Sequence, residues 1–174
     1  MLSMLVLHRM LPSPLLALVL LPLALNAGAA PAVADRGAMA SAAVLAPIQT
    51  YVRAANAGHR AELISAFTAD STIVDEFAPF AFPAPHAAAH WYDGFGADQT
   101  ANGVSDAVIA STPPKFVTID GSHAYVVLPT VYTYKLHGKP AKETGSLSFA
   151  LRKAGAQWKI SAMAWAKLTD TSIP

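Results

Sequence analysis

His123-Ala124-Tyr125-Val126-Val127-Leu128-Pro129-Thr130-Val131-Tyr132-Thr133-Tyr134-Lys135-Leu136 is rich in β-branched and aromatic residues and reads as one long strand. Asp120-Gly121 before it is a strong hairpin signal, so residues 115–119 become its neighbour on that side. The turn His137-Gly138-Lys139-Pro140 follows, and residues 142–153 form the partner strand. Ala154-Gly155-Ala156 turns the chain once more into residues 157–168. Pro113-Pro114 divides this series from a short strand at 105–111. An antiparallel meander therefore fills the second half of the chain.

The first half reads as helices. Val44, Ile48, Tyr51, Val52 and Ala55 recur at helical spacing, with Pro47 expected in a first turn, where a missing N–H costs little. Asn56-Ala57-Gly58 supplies the stop. A shorter helix is expected over residues 60–67, burying Leu63, Ile64 and Phe67. Residues 71–77 alternate, with Ile73, Asp75 and Phe77 on one face and Thr72, Val74 and Glu76 on the other, which is a strand. Residues 78–85 hold three prolines and two phenylalanines and read as a loop. Pro85 then opens a third helix over 86–95, in which Trp91 and Phe95 form an i,i+4 pair. Helices first and a meander last argue an α+β fold, with helices packed on one face of a curved sheet.

Residues 1–34 have a different character. His8 and Arg9 precede the apolar run Leu15-Leu16-Ala17-Leu18-Val19-Leu20-Leu21-Pro22-Leu23-Ala24-Leu25. Ala27-Gly28-Ala29 and Ala32-Val33-Ala34 both fit a small-x-small cleavage site, so the segment reads as a secretory signal peptide. A membrane anchor needs about 20 apolar residues, and Pro12, Pro14 and Pro22 interrupt this stretch. Cleavage after Ala34 removes Arg9, and the remaining chain then carries no net charge. That gives no electrostatic case for nucleic acid or for an anionic membrane, and no stable membrane insertion is expected after cleavage. With no cysteine there is no disulfide framework and no cysteine nucleophile. A periplasmic or secreted protein of this kind depends on its core alone. The length of 174 residues suits one domain. A flexible leader is expected over 35–42, the domain over 43–169 and a tail over 170–174.

The ordered pieces Ala54-Ala55-Asn56-Ala57-Gly58, Phe67-Thr68-Ala69-Asp70-Ser71, Ile73-Val74-Asp75-Glu76-Phe77, Asp120-Gly121-Ser122-His123, Glu143-Thr144-Gly145 and Gln157-Trp158-Lys159-Ile160 carry a family signal. Together they resemble the nuclear-transport-factor-2-like superfamily, and more closely its SnoaL-like branch. His59 departs from the pattern, since such proteins often place Asp there to open the second helix. The resemblance implies a cone-shaped fold in which three N-terminal helices pack on a curved, mostly antiparallel sheet enclosing a pocket. Members include isomerases, dehydratases, cyclases, non-enzymatic binders and dimerising transport factors, so the fold leaves the function open.

The strand pattern singles out Asp75 and Glu143. Glu143 shares its face with Gly145, Leu147, Phe149 and Leu151, and Asp75 with Ile73 and Phe77. A carboxylate on an apolar face is either paired at a rim or has a raised pKa, and the second condition suits a general acid or base. Tyr132 and Tyr134 end one face of the long strand, aimed into a pocket or packed across the sheet; a bulge near Pro129 would reverse that face. Trp91, Trp165 and Phe77 are core or pocket wall. His86 and His90 lie one helical turn apart, but no third ligand is evident and no metal is expected. Ketosteroid isomerases of the superfamily use a tyrosine on the first helix and an aspartate after the first strand; Tyr51 and Asp75 lie on the corresponding elements.

The leading expectation is an exported protein that binds a small, mostly apolar molecule. Tyr132, Tyr134, Glu143, Trp91, Trp165 and Phe77 would line the pocket. The alternative is a cofactor-independent isomerase or dehydratase with Asp75 as base, Tyr51, Tyr132 or Tyr134 as oxyanion donor and His90 as a second acid. A third is a homodimeric interaction module that uses the open sheet face.

Overall fold

The structure, a computed structural model, describes residues 33–172; all but the last two residues of the expected signal peptide lie outside them. In chain order it contains α1 (Val33–Ala57), α2 (Arg60–Ser65), β1 (Phe67–Val74), β2 (Ala81–Phe82), α3 (Ala87–Ala101), β3 (Val104–Ser111), β4 (Phe116–Asp120), β5 (His123–Leu136), β6 (Lys139–Ala154) and β7 (Gln157–Ser172). The strands form one sheet in the order β2-β1-β7-β6-β5-β3, with β4 also paired to β5. β1 runs parallel to β7, and the other pairings are antiparallel. The class is α+β, as expected.

β5 has the bounds read from the sequence. It pairs with β6 from His123↔Arg152 to Leu136↔Lys139 without a register shift. Pro129 therefore reverses nothing, and Ala124, Val126, Leu128, Thr130 and Tyr134 are buried on one face. β6 buries Glu143, Leu147, Phe149 and Leu151 beside them. The helices cover this face. Val44, Ile48, Tyr51 and Ala54 of α1 are buried, with Leu63 of α2 and Trp91 of α3. The Tyr51 ring meets Phe67 and Phe149 edge-on, each at 5.9 Å between centroids. On the outer face, Phe116 and Tyr125 pack edge to face at 6.3 Å and remain exposed.

Several boundaries differ from the sequence reading. The stretch 35–42, expected as a loose leader, is helical, because its alanines favour helix more than its one glycine opposes it. Pro47 consequently sits inside α1 rather than in a first turn, and leaves one helical hydrogen bond unmade. α2 stops at Ser65, where the Ser65 hydroxyl donates to the Glu62 carbonyl at 2.7 Å, and Phe67 opens β1 instead. α3 continues past residue 95 to Ala101. Its Gly94 is a contact residue, since a Cβ there would stand 3.2 Å from the Phe77 ring and 3.5 Å from that of Phe82. β7 continues through the start of the expected tail, pairing Glu143 with Asp170 and Lys142 with Thr171.

β1 ends at Val74, yet Asp75 and Phe77 keep the buried face expected of them. A turn holds them there: the Asp75 amide donates to the Phe80 carbonyl at 3.0 Å, and the Phe80 amide to that of Phe77 at 2.8 Å. The proline-rich loop then contributes β2, which pairs Phe82 with Ile73.

A second irregularity lies between β6 and β7. Thr144 faces Thr169 and Gly145 faces Lys167, which leaves Leu168 as an extra residue, 73% exposed. A Cβ on Gly145 would strike the Ala166 carbonyl oxygen and stand 2.7 Å from the Trp165 ring. Gly145→Ala is therefore expected to lower stability by about 1–3 kcal/mol, seen as a lower denaturant midpoint at unchanged slope. An unchanged midpoint would mean that the sheet yields at this bulge.

Candidate functional site

Between the helices and the sheet lies a recess in two connected parts. The inner chamber has about 50 Å³, room for several water-sized groups. Tyr51 from α1, Asp75 and Glu76 from the turn after β1, Trp91 and Phe95 from α3, Tyr132 from β5, Glu143 and Leu147 from β6 and Trp165 from β7 line it. An outer vestibule of about 410 Å³ shares Asp75, Glu76, Phe95, Tyr132 and Glu143. It adds Phe77, Asp98, Gln99, Tyr134, Lys167 and Asp170. The wall between the acids is aromatic. Trp91 stacks on Phe95 at 5.1 Å, Phe95 tilts onto Tyr132 at 6.0 Å, and Tyr132 onto Tyr134 at 4.9 Å.

Asp75 is buried with both carboxylate oxygens engaged. The Trp91 indole N–H donates to Oδ2 at 2.7 Å, and the Glu76 amide donates to Oδ1 at 2.7 Å. Burial raises its pKa, those two hydrogen bonds oppose the rise, and the charges of Glu76 and Asp98 add to it.

Glu143 is held on one side only. The Tyr134 hydroxyl donates to its Oε1 at 2.9 Å, and the Lys167 ammonium stands 3.6 Å from the same oxygen. Oε2 is buried without a hydrogen-bond partner among the described residues, in a residue that is 6% exposed overall. Loss of water pushes its pKa up to about 7, helped by a proton held toward the neighbouring Glu76; the Tyr134 bond and the Lys167 charge pull the other way. Glu76 is itself fixed by Lys167 at 2.7 Å and by the Trp165 indole N–H at 3.2 Å. Desolvation lowers the Lys167 pKa, but Glu76, Glu143 and Asp170 together raise it above its ordinary value.

The tyrosines stay protonated. Burial, and then the nearby acids, push Tyr51 well above the ordinary phenol range. Tyr132 is pushed up to about 12, mainly by burial and against its bond with Gln99. The Gln99 amide donates to the Tyr132 oxygen at 2.6 Å, which leaves the hydroxyl proton of Tyr132 free to point into the recess.

Of the residues singled out in the sequence, Tyr51, Asp75, Trp91, Tyr132, Glu143 and Trp165 meet at the chamber, and Phe77 and Tyr134 border the vestibule. His90 does not join them. It is exposed on α3, its ring 6.2 Å from that of His86, because the buried stripe of the helix runs through Ala87, Ala88 and Trp91. Glu76, Gln99 and Lys167 were missed. Glu76 falls on the solvent face only while strand alternation lasts, and the chain turns after Val74. Gln99 continues the i,i+4 series of Trp91 and Phe95, and carrying that helix past Gly94 and Gly96 would have found it.

No family model matches the chain, and no curated relative matches it in sequence. Solved structures do match in shape. A hexachlorocyclohexane dehydrochlorinase (LinA-type3) from Novosphingobium barchaimii LL02 superposes with a TM-score of 0.68 over 80% of this chain and 94% of its own, at 12% identity. An ntf2-like protein with a cystatin-like fold from Novosphingobium aromaticivorans gives 0.62 over 78% and 87%, at 20% identity. A ketosteroid isomerase-like protein from Erwinia carotovora atroseptica SCRI1043 gives 0.59 over 74% and 95%, also at 20%. The fold is nuclear-transport-factor-2-like. In this fold the cone is closed by α1 and α3, and the acids enter from four separate elements: the turn after β1, β6, the vestibule end of α3 and the end of β7.

Proposed function

We propose that the chain is an exported, SnoaL-like enzyme of cofactor-independent acid/base chemistry, an isomerase or an eliminating dehydratase acting on a small, mostly apolar molecule. The observation that carries this reading is the buried, unpartnered Oε2 of Glu143, a side chain that lines an aromatic chamber. A carboxylate titrating near neutrality both removes and returns a proton at useful rates. In the step proposed, the substrate C–H bond next to a carbonyl breaks, its proton moves to Glu143 Oε2, and the electron pair moves onto the carbonyl oxygen. Tyr132, freed by Gln99, donates to that oxygen. Returning the proton to another carbon gives an isomer; loss of a leaving group gives an alkene. Tyr134 orients Glu143, and Asp75, held by Trp91, is a second carboxylate beside the reacting centre. The printed names of two structural neighbours, a dehydrochlorinase and a ketosteroid isomerase-like protein, agree with elimination or isomerisation.

A second reading is binding without turnover. It is favoured by the position of His90, which leaves the chamber without the second acid expected of it. Deuterium uptake separates the two. With cyclohexanone in deuterated water, the chain is expected to speed exchange next to the carbonyl, and Glu143→Gln to slow it about a hundredfold or more. Cyclohexanone that binds, by shifts in its NMR signals, but exchanges at the buffer rate would leave the binding protein.

A further inference from the structure

The recess has a pronounced charge imbalance. Asp75, Glu76 and Glu143 reach the chamber, and Asp98 and Asp170 stand on the vestibule. Lys167 is the one cationic side chain among the described residues lining either part, and it is already occupied: Glu76 lies at 2.7 Å, Glu143 at 3.6 Å and Asp170 at 3.7 Å. An anionic ligand would find no free cation and several carboxylates. A cation would find those carboxylates and also the rings of Tyr51, Trp91, Phe95, Tyr132 and Trp165, whose faces attract positive charge.

An acidic cluster alone does not define a ligand; the orphaned Oε2 of Glu143 does more. It is an acceptor, it is buried, and its side chain lines the chamber. A buried acceptor without a donor costs free energy that an incoming N–H recovers. A quaternary ammonium would satisfy the charge but not this oxygen, and an alcohol would satisfy the oxygen but not the charge.

We propose that the recess takes a small organic cation with at least one N–H, a protonated amine on an apolar body, its ammonium group donating to Glu143 Oε2 and its body packed on the aromatic wall. This rests on the reading of the recess as the functional site and names a class of ligand that occupies Oε2 in place of the reacting C–H.

Proton linkage follows from the surroundings of Glu143. Lining the recess with it are Tyr51 from α1, Asp75 and Glu76 from the turn after β1, Asp98 from α3, Tyr132 and Tyr134 from β5, and Lys167 and Asp170 from β7. In the free protein Glu143 holds a proton below about pH 7. An ammonium group takes that proton's place, so binding releases a proton below that pH and affinity rises with pH until Glu143 is ionised.

Titration calorimetry on the full chain tests this with cyclohexylamine, cyclohexanol and cyclohexanecarboxylate, in two buffers of different ionisation heat. The amine, protonated throughout, is expected to bind about tenfold or more tighter than the alcohol, and the carboxylate not at all. Amine affinity should fall about tenfold from pH 8 to pH 6, with a proton released at the lower pH. Glu143→Gln should erase the preference for the amine. Should that variant fail to fold, the pH dependence of the unaltered chain decides alone. An alcohol bound as tightly as the amine, pH-independent amine binding, or no amine binding overturns the proposal. Cyclohexanone exchange that persists while amines fail to bind would sink this inference only. Amine binding without any exchange would sink the acid/base reading only.

Discussion

Trp91→Ala is expected to lower folding stability by about 3–5 kcal/mol, and Trp91→Phe by a smaller amount that depends on pH. Trp91 is 2% exposed and stacks on Phe95 with the ring planes 11° apart. It also tilts onto Tyr51 at 5.8 Å and donates its indole N–H to Asp75 at 2.7 Å. Alanine removes the ring and leaves a void between α1 and α3. It also strips a hydrogen bond from a buried carboxylate, whose unmet desolvation adds to the loss. Phenylalanine keeps most of the packing and removes only the donor. A hydrogen bond to an ionised group contributes about 1.5–3 kcal/mol, so the Phe variant isolates that part.

The pH dependence of Trp91→Phe fixes its meaning. The Asp75 pKa already lies above the ordinary value because of burial, and the Trp91 bond is what restrains the rise. Without the bond it rises further, so the folded state of the variant holds its proton to higher pH than the unfolded chain does. The deficit is therefore full where Asp75 is ionised and shrinks as pH falls and the carboxyl becomes neutral. Denaturant titrations near about pH 5 and about pH 8 should show the larger loss at the higher pH. An equal loss at both would mean that Trp91 acts through packing alone and does not govern Asp75.

The sheet was legible because its signals are local and repeated. Fourteen residues of β5 are dominated by β-branched and aromatic types, and Asp120-Gly121 fixes where they begin. Strand alternation placed Glu143 among apolar neighbours, and it is buried there. The site was legible only in part, because its remaining groups arrive where regular patterns stop. Glu76 belongs to a turn, Lys167 sits beside the extra residue Leu168, and Gln99 follows two glycines that read as the end of a helix. Gly94 lies in that helix for close contact with Phe77 and Phe82, a tertiary reason that propensity does not express. His90 failed for the opposite reason: helical spacing put it near Trp91 in sequence, but its own side of α3 faces outward.

Glu143→Gln is expected to stabilise the fold while removing its chemistry. Glu143 is 6% exposed, and its pKa is pushed up to about 7 from an ordinary 4.5. Between those values the folded state binds the proton that the unfolded chain releases. Stability attributable to this group is thus complete below about pH 4.5 and is lost as pH rises through about 7. At about 1.4 kcal/mol per unit, the cost above pH 7 comes to about 3 kcal/mol. Glutamine keeps the shape, carries no charge, and offers an N–H toward Glu76 where the acid needed a proton. Lys167 loses one partner at 3.6 Å but keeps Glu76 at 2.7 Å. The variant should therefore exceed the unaltered chain by up to about 3 kcal/mol near pH 8, with the advantage vanishing toward pH 5. A group that costs stability in the range where it would exchange protons is what an acid/base site requires. A Glu143→Gln chain less stable at about pH 8 than the unaltered one would reverse the argument. Glu143 would then be an ionised partner of Lys167, serving the sheet and carrying no proton.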